Sequence, residues 1–180
     1  MDLLPQAYLI GLIVLLAAAA VVVSRQIWRV RGDELTLSRL EGLALGQEKD
    51  AAQLYELATV QLRKRLYGQA AENLKLALRH AEAADEPGEA LALILNALGF
   101  AQAAQNKFKE ASRNYRAALK AKPNYPVALN NLAYALEKQQ LSDEARSAYE
   151  QVLALDSTNK TARKRLLRLG GRPERGDSPT

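Results

Sequence analysis

Side chains that commonly carry out chemistry are few in this 180-residue chain, and they form no recognisable catalytic arrangement. The absence of cysteine excludes disulfides, thiolate zinc sites, iron–sulfur clusters and thiol nucleophiles. The single histidine, His80, lacks the neighbouring serine and aspartate that a catalytic triad requires. The carboxylates of Asp143 and Glu144 stand where a helix is expected to begin, and the helix dipole favours negative charge there. We therefore predict no catalytic residues, no metal site, no cofactor and a protein that is not an enzyme.

Two clusters of basic side chains are the remaining candidates for chemistry. One runs from Lys107 to Lys122, and the other runs from Lys160 to Arg168. The residues expected to form a basic outer surface are Lys107, Lys109, Arg113, Arg116, Lys120, Arg163 and Arg165. Such a surface is either a solvated face or a contact for anionic lipid headgroups or an acidic partner. The net charge of +5 is small for a dedicated nucleic-acid binder, so nucleic acid is not expected as a partner.

The composition predicts the elements that must position these residues. Of all side chains 48% are hydrophobic and 25% are charged, and the chain contains only 10 glycines and 6 prolines. A chain rich in Ala, Leu, Glu, Lys and Arg, with few β-branched residues beyond its start, is typical of an all-α fold.

The first apolar run, Ala7 to Val23, has no charged residue and spans roughly 25 Å as a helix. It predicts a transmembrane helix over 7–24 after a short N-terminal segment, 1–6. Basic residues and the single tryptophan follow the run, whereas no Lys or Arg precedes it. Because positive charge stays on the cytoplasmic side and Trp prefers the interface, the N-terminus is expected outside. The expected interface anchors are Arg25, Trp28, Arg29 and Arg31.

Two alternatives to an anchor remain open for this run. A cleaved secretory signal would use the small residues Ala17–Ala20 as its cleavage site, although the positive segment that normally precedes such a signal is missing. A buried helix of a soluble protein is the second alternative.

The rest of the chain contains an internal repeat. A pattern that includes Leu98, Gly99, Ala111 and Tyr115 recurs further along the chain as Leu132, Ala133, Ala145 and Tyr149, with the same spacing between its members. A third copy lies upstream at a larger offset, and its members are Leu54, Leu57, Ala58, Ala70, Leu74 and Ala77. The first copy is thus separated from the second by seven extra residues. They are expected around Ala84–Glu89, where Pro and Gly indicate a turn.

This pattern resembles the tetratricopeptide repeat (TPR), a pair of antiparallel helices that stacks into a solenoid. Leu replaces the usual Trp, and Gln61, Gln102 and Leu136 replace the Tyr of the first helix. The resemblance implies TPR 1 over 51–84, TPR 2 over 92–125 and TPR 3 over 126–159. Arginines and helical periodicity beyond the apolar run predict a basic juxtamembrane segment and linker helix over 25–50. A last helical stretch predicts a capping helix over 160–169, and the Gly, Pro, Ser and charged residues after it predict a disordered tail over 170–180. The expected fold is therefore a transmembrane helix followed by a TPR α-solenoid with a C-terminal cap.

The repeat register also predicts local features. Gly99 or Ala133 should allow the two helices of a repeat to approach closely. Asn106 and the pair Gln139–Gln140 should lie in turns, and Ser142 should cap the N-terminus of the following helix.

TPR proteins bind partners in a groove lined by the first helix of each repeat, and the resemblance carries this groove onto seven residues. They are Tyr55, Thr59, Asn96, Phe100, Asn130, Asn131 and Tyr134. Asn amides can bond to a peptide backbone and aromatic rings supply contact area, although the same side chains could instead pack against the next repeat. The basic residues that hold a terminal carboxylate in chaperone-binding TPR proteins are replaced here by Tyr55, Val127 and Asn131. An adaptor for heat-shock chaperones is therefore not expected.

The whole layout is similar to the thylakoid TPR proteins of cyanobacteria and plastids that help to assemble or stabilise photosystem I. This resemblance implies a scaffold in the thylakoid membrane, a cytoplasmic or stromal TPR domain, and photosystem I subunits or assembly intermediates as partners. Alternatives are a bacterial envelope scaffold, in cytochrome maturation or pilus assembly, and a basic lipid-binding module.

Overall fold

The computed structural model describes residues 3–42 and 50–170, which are helical through most of both ranges. The helices are α1 (Leu3–Gly42), α2 (Ala51–Arg63), α3 (Tyr67–Ala83), α4 (Gly88–Ala104), α5 (Phe108–Ala121), α6 (Pro126–Lys138), α7 (Ser142–Leu155) and α8 (Lys160–Arg168). The predicted all-α class is confirmed. Parts of the predicted N-terminal segment and linker, and the predicted tail beyond Gly170, lie outside the described residues.

Helix α1 belongs to a unit of its own, residues 1–47, and residues 48–180 form the second unit. Within α1 the stretch Tyr8–Thr36 is long and apolar enough to cross a membrane. The predicted span over 7–24 lies inside this helix, which continues without a break past the arginines that follow. Its large apolar side chains are exposed, as expected for a helix that faces lipid.

The second unit is a TPR solenoid of three helix pairs, α2–α3, α4–α5 and α6–α7. Each pair packs against the next, and the first helices also contact one another, α2 with α4 and α4 with α6. Helix α8 packs on α7, and its Ala162 and Leu166 are fully buried in the core of the third repeat. This matches the predicted cap, because α8 covers an apolar end that would otherwise face water.

Gly99 allows the close approach within the second repeat. A Cβ atom at this position would lie 2.6 Å from the ring of Tyr115, which is only 1% exposed. The need for a small residue is as predicted, and the structure identifies the buried tyrosine ring as the group that occupies the space.

The turn inside each repeat uses one residue with a positive φ. These residues are Arg65 (φ 61°), Asn106 (φ 62°) and Gln140 (φ 63°). The predicted turns at Asn106 and Gln139–Gln140 are therefore confirmed.

The predicted cap at Ser142 is wrong. Leu141 occupies the N-cap position of α7 without a side-chain cap, and Ser142 is the first helical residue. Directly after Gln140, the Leu141 N–H donates to the Leu136 carbonyl oxygen at 3.1 Å, so the turn closes in two residues. The serine comes one residue too late to cap the helix.

The seven extra residues of the first repeat lie on both sides of the predicted turn near Ala84–Glu89, where they lengthen the two flanking helices. Helices α3 and α4 each contain 17 residues, whereas the other helices of the three repeats contain 13 or 14. The second repeat consequently starts at Gly88 in the structure, ahead of the predicted 92. Added length is better tolerated here as an extra helical turn, because each new residue then gains a backbone hydrogen bond.

Candidate functional site: the groove face

The first helices present the predicted groove residues, and we call this surface the groove face. We define it by Tyr55 and Thr59 on α2, Leu93, Asn96 and Phe100 on α4, and Val127, Asn130, Asn131 and Tyr134 on α6. The Thr59 hydroxyl donates to the Tyr55 carbonyl oxygen at 2.8 Å, a bond within α2. Thr59 is therefore satisfied without a ligand.

Two of the predicted asparagines connect neighbouring repeats. The Asn131 side-chain amide donates to Asn96 Oδ1 at 3.0 Å, and the Asn96 amide donates to the Tyr125 hydroxyl at 3.3 Å. Burial raises the pKa of the Tyr125 phenol, and the neighbouring Tyr55 adds to the effect. The phenol therefore stays protonated at neutral pH, and this network fixes α4 against α6.

Asn130 differs from these two asparagines. Its Oδ1 is buried and accepts no hydrogen bond within the described part of the chain. A buried acceptor without a donor is costly, and Asn130 does not contribute to the polar network that joins the repeats.

The aromatic residues of the groove face form edge-on pairs across the repeats. The rings of Phe100 and Tyr67 are 6.5 Å apart at 72°, and those of Tyr134 and Phe108 are 6.3 Å apart at 81°. In each pair the second helix of one repeat contributes its first residue, and the first helix of the next repeat contributes the other. These aromatic side chains therefore stabilise repeat stacking as well as shaping the surface.

Some apolar area stays uncovered on the groove face. Phe100 is 46% exposed, Val127 is 56% exposed and Leu93 is 37% exposed. Leu93 and Phe100 are two helical turns apart on α4, so they share one helix face. These three side chains form an apolar stripe across α4 and α6, which sequence reasoning identified only at Phe100. The sequence did contain a signal for the stripe, because the apolar residues Leu93 and Val127 occupy the same position of successive repeats.

Arg165 does not lie on a basic outer surface, contrary to the prediction. Its guanidinium carbon is 4.8 Å from the centre of the Tyr134 ring, and its Nη1 donates to Glu137 Oε1 at 2.8 Å. The Tyr149 hydroxyl donates to the other Glu137 oxygen at 3.0 Å. Burial and the Glu137 carboxylate raise the pKa of Tyr149, which therefore remains a donor. Arg165 thus ties α8 to the groove side of α6.

The other predicted basic residues are exposed, and two of them form contacts within the chain. Arg116 forms an ion pair with Glu144 at 2.8 Å, and Arg163 donates to the Ser157 carbonyl oxygen at 2.7 Å. The remaining members, on or next to α5, are Lys107, Lys109, Arg113 and Lys120. Their role as a contact surface stays a prediction.

The predicted interface anchors all lie on α1 and are exposed. Arg25, Trp28 and Arg29 share one face of the helix, at the spacing of one turn. Trp28 is one of the most exposed large side chains of the described residues. Their position just beyond the apolar run is where a lipid interface would meet the helix.

The repeats and the relatives of the chain agree with this geometry. Models described as TPR repeat and tetratricopeptide repeat match residues 99–140 and 126–159. The chain is 35% identical over 175 residues to ycf37 of Guillardia theta, and the match covers 97% of each protein. The chain belongs to the ycf37 family. Since ycf37 proteins occur in plastid-bearing organisms, the match indicates a plastid or cyanobacterial TPR family, as the resemblance predicted.

A second relative and a solved structure support the family and the fold. The chloroplastic TPR domain-containing protein PYG7 of Arabidopsis thaliana is 33% identical over 159 residues, which are 88% of this chain and 52% of PYG7. The second TPR domain of human RPAP3, solved with the HSP70 peptide SGPTIEEVD, superposes with a TM-score of 0.60 at 21% identity. That match covers 68% of this chain and 96% of the RPAP3 domain, and it shows the shared fold. The ycf37-family chain is accordingly a TPR protein-interaction scaffold.

Proposed function

We propose that this ycf37-family protein is a membrane-anchored scaffold that docks a protein partner on its groove face during assembly or stabilisation of photosystem I. The observation that carries the proposal is the exposed apolar stripe of Leu93, Phe100 and Val127 on a solenoid that follows a membrane-length helix. An anchor raises the local concentration of the scaffold at the membrane, and the stripe selects the partner.

The thylakoid assignment rests on relatives and layout. Relatives of the chain are ycf37 proteins and a chloroplastic TPR protein. The anchor, the arginine-rich exit and the three repeats follow the arrangement of thylakoid TPR proteins that act on photosystem I. The partners we propose are photosystem I subunits or assembly intermediates.

Co-purification from gently solubilised native membranes tests the partner. The groove variant is Leu93→Ser/Val127→Ser. The control is Leu155→Ser/Leu167→Ser, two leucines outside the defined groove face whose side chains are 47% and 57% exposed. Photosystem I subunits should accompany the wild type and the control and be lost from the groove variant. Tyr134 is less suitable for substitution, because its ring also packs against Phe108 and Arg165.

The other outcomes separate the parts of the proposal. Recovery of a different envelope complex, such as one for cytochrome maturation or pilus assembly, would support the scaffold role and contradict the assignment to photosystem I. Equal recovery with the groove variant but loss with Lys109→Glu/Arg113→Glu would move the binding surface to the outer face of α5.

We also propose that the N-terminus lies outside and the TPR unit lies in the cytoplasm or stroma. The arginines that follow the apolar part of α1 support this orientation. Because the chain has no cysteine, single cysteines at Asp2 and Lys120 can be labelled with a membrane-impermeant maleimide in sealed vesicles. Labels on opposite sides are expected for a spanning helix. Labels on the same side would contradict an anchor that crosses the membrane.

A further inference from the structure

Helix α8 continues the period of the groove face. It begins at Lys160, one repeat length after Pro126 begins α6. The same spacing leads from Asn130 to Lys164 and from Tyr134 to Arg168. The cap is therefore the first helix of an incomplete fourth repeat, and its groove positions carry cations where the preceding repeat has an amide and an aromatic ring.

The orientation of α8 supports this assignment. Ala162 and Leu166 are buried against the third repeat, so the remaining sides of α8 face outward. A shallow depression on one of these sides is lined by Lys160, Thr161, Lys164, Arg165 and Arg168. Arg165 reaches from this row to the Tyr134 ring of α6. The basic row therefore lies next to the groove face.

Lys138 adds a cation from α6. Its Nζ is 5.5 Å from the centre of the Tyr134 ring, the same ring that Arg165 contacts. We call Lys138, Lys164 and Arg168 the basic corner. Within residues 3–42 and 50–170 none of the three forms an ion pair, since the nearby Glu137 is engaged by Arg165 and Tyr149. The basic corner therefore holds positive charge that the described chain leaves unbalanced.

The middle of the groove face has the opposite character. Helix α4 carries no charged side chain after Glu89, and it contributes Leu93 and Phe100 to the apolar stripe. A ligand that fits both regions must combine apolar side chains with negative charge at one end. A protein segment with that chemistry is favoured, because its successive side chains can reach both the stripe and the cations.

We propose that the basic corner recognises the carboxylates of an acidic segment of the protein partner, whose apolar residues lie on the stripe. The inference rests on the proposed docking function of the groove face and names the chemistry of its ligand. Several cations close together attract a carboxylate more strongly than an isolated surface lysine does, because their attractions add at the same place. Complementary charge also sets the direction in which the segment lies.

A random-peptide display library tests the proposal with the full chain held in nanodiscs of neutral lipid. The corner variant is Lys164→Glu/Arg168→Glu, and the control Lys109→Glu/Arg113→Glu makes the same charge change on α5. The wild type and the control should enrich peptides with apolar residues followed by Asp and Glu. The corner variant should lose the acidic bias. The best peptide should bind the corner variant roughly ten- to a hundredfold more weakly.

The remaining outcomes separate this proposal from the docking function. The wild type could instead enrich apolar peptides without an acidic bias, and this enrichment could be lost in Leu93→Ser/Val127→Ser. That result would support docking on the groove face and overturn the proposed role of the basic corner. Acidic peptides that bind wild type and corner variant equally would also overturn it. Failure to enrich any peptide with the wild type would overturn both proposals. Because the substituted side chains are exposed, each variant is expected to fold. Circular dichroism checks that its helix content matches that of the wild type.

Discussion

The first two repeats and the third repeat fill equivalent interior positions with different chemistry. In the first repeat the Asn73 amide donates to Gln61 Oε1 at 2.9 Å, and in the second the Asn114 amide donates to Gln102 Oε1 at 2.7 Å. These two bonds, which we call the amide clasps, join the two helices of one repeat. Each repeat that has a clasp is therefore closed by its own side chains.

The third repeat has Leu136 and Ala148 at the same two positions, and both are buried. Its polar contact lies one position further on, where Tyr149 and Arg165 both donate to Glu137. Because Arg165 belongs to α8, the third repeat is completed by the cap. The comparison teaches that the polar contact within each of the first two repeats is a pair of amides, whereas the third repeat shares its Tyr149–Glu137 contact with a helix outside it.

The largest expected effect comes from weakening the packing of α8 on the third repeat. Leu166→Ala removes a fully buried side chain of α8 and should cost about 2–5 kcal/mol. Urea unfolding measures the loss. Hydrogen exchange should speed up more in α6 and α7 than in α2 and α3. The neighbouring Leu167→Ala is the matched control, since this side chain is mostly exposed, and it should be nearly neutral. Equal loss of protection throughout the solenoid would contradict the comparison.

The amide clasp gives the next largest effect. Asn73→Ala leaves the buried Gln61 side-chain oxygen without its donor and should destabilise the protein by about 1–3 kcal/mol. The double substitution Gln61→Leu/Asn73→Ala copies the third repeat and should recover most of this loss, because no polar group is then left unpaired. Chemical unfolding of the single and double variants measures both values. A double variant no more stable than Asn73→Ala would show that the clasp is not the cause.

The two buried tyrosines sharpen the comparison further. Tyr149→Phe removes the donor to Glu137 and should cost about 1–2 kcal/mol. Tyr115 is the equivalent residue of the second repeat, and Tyr115→Phe should cost less than about 0.5 kcal/mol if its buried ring supplies the stability. Thermal unfolding of the two variants compares them. A larger loss of stability for Tyr115→Phe than for Tyr149→Phe would contradict the proposed role of the Tyr149–Glu137 hydrogen bond.

The same residues predict how stability depends on alkaline pH. Burial raises the pKa of both Tyr115 and Tyr149 above the ordinary value near 10. A phenol whose pKa is higher in the folded state adds stability that is fully present below the unfolded pKa and is lost as the pH rises further. The wild type should therefore lose more stability than either Phe variant above about pH 10. Urea titrations at several pH values test this, and parallel losses would contradict it.

The smallest effects concern two ion pairs. Arg116–Glu144 joins α5 to α7 and is about half exposed, so its coupling should be under about 1 kcal/mol. Arg165–Glu137 is less exposed and connects the cap, so its coupling should exceed that of the surface pair. Double-mutant cycles with Met and Gln replacements measure both couplings. Added salt should weaken the Arg116–Glu144 coupling more than the Arg165–Glu137 coupling. The reverse order would show that the Arg165–Glu137 pair is as accessible to solvent as a surface pair.

Much of the fold could be predicted because it depends on short-range pattern. The repeat period, the small residue at Gly99 and the turns at Asn106 and Gln140 follow from spacing and side-chain size. The start of α7 was predicted one residue too late. Ser142 has the right chemistry for a cap, but the bond between Leu141 and Leu136 starts the helix one residue earlier. The position of the extra residues around Ala84–Glu89 followed from the repeat spacing, whereas their helical conformation is known only from the structure.

The candidate site was less predictable than the fold. The repeat register predicted seven residues of the groove face, but it missed the exposed Leu93 and Val127. It also did not predict that Asn96 and Asn131 bond to each other. It also treated every cation of α8 as part of one outer surface. Which of them turn toward α6 depends on how the cap packs, and that follows from burial of Leu166 on the opposite side of the helix.

The sequence by itself determined an apolar run of membrane length and a TPR array with a basic terminal helix, because periodicity and composition depend on residue type alone. The tertiary structure decided which polar residues are satisfied by one another and which remain available to a partner. Asn96 and Arg165 are engaged, whereas Phe100, Val127 and the basic corner are exposed. The reason is physical, since hydrogen bonding and burial are set by the distances between helices that are far apart in the chain.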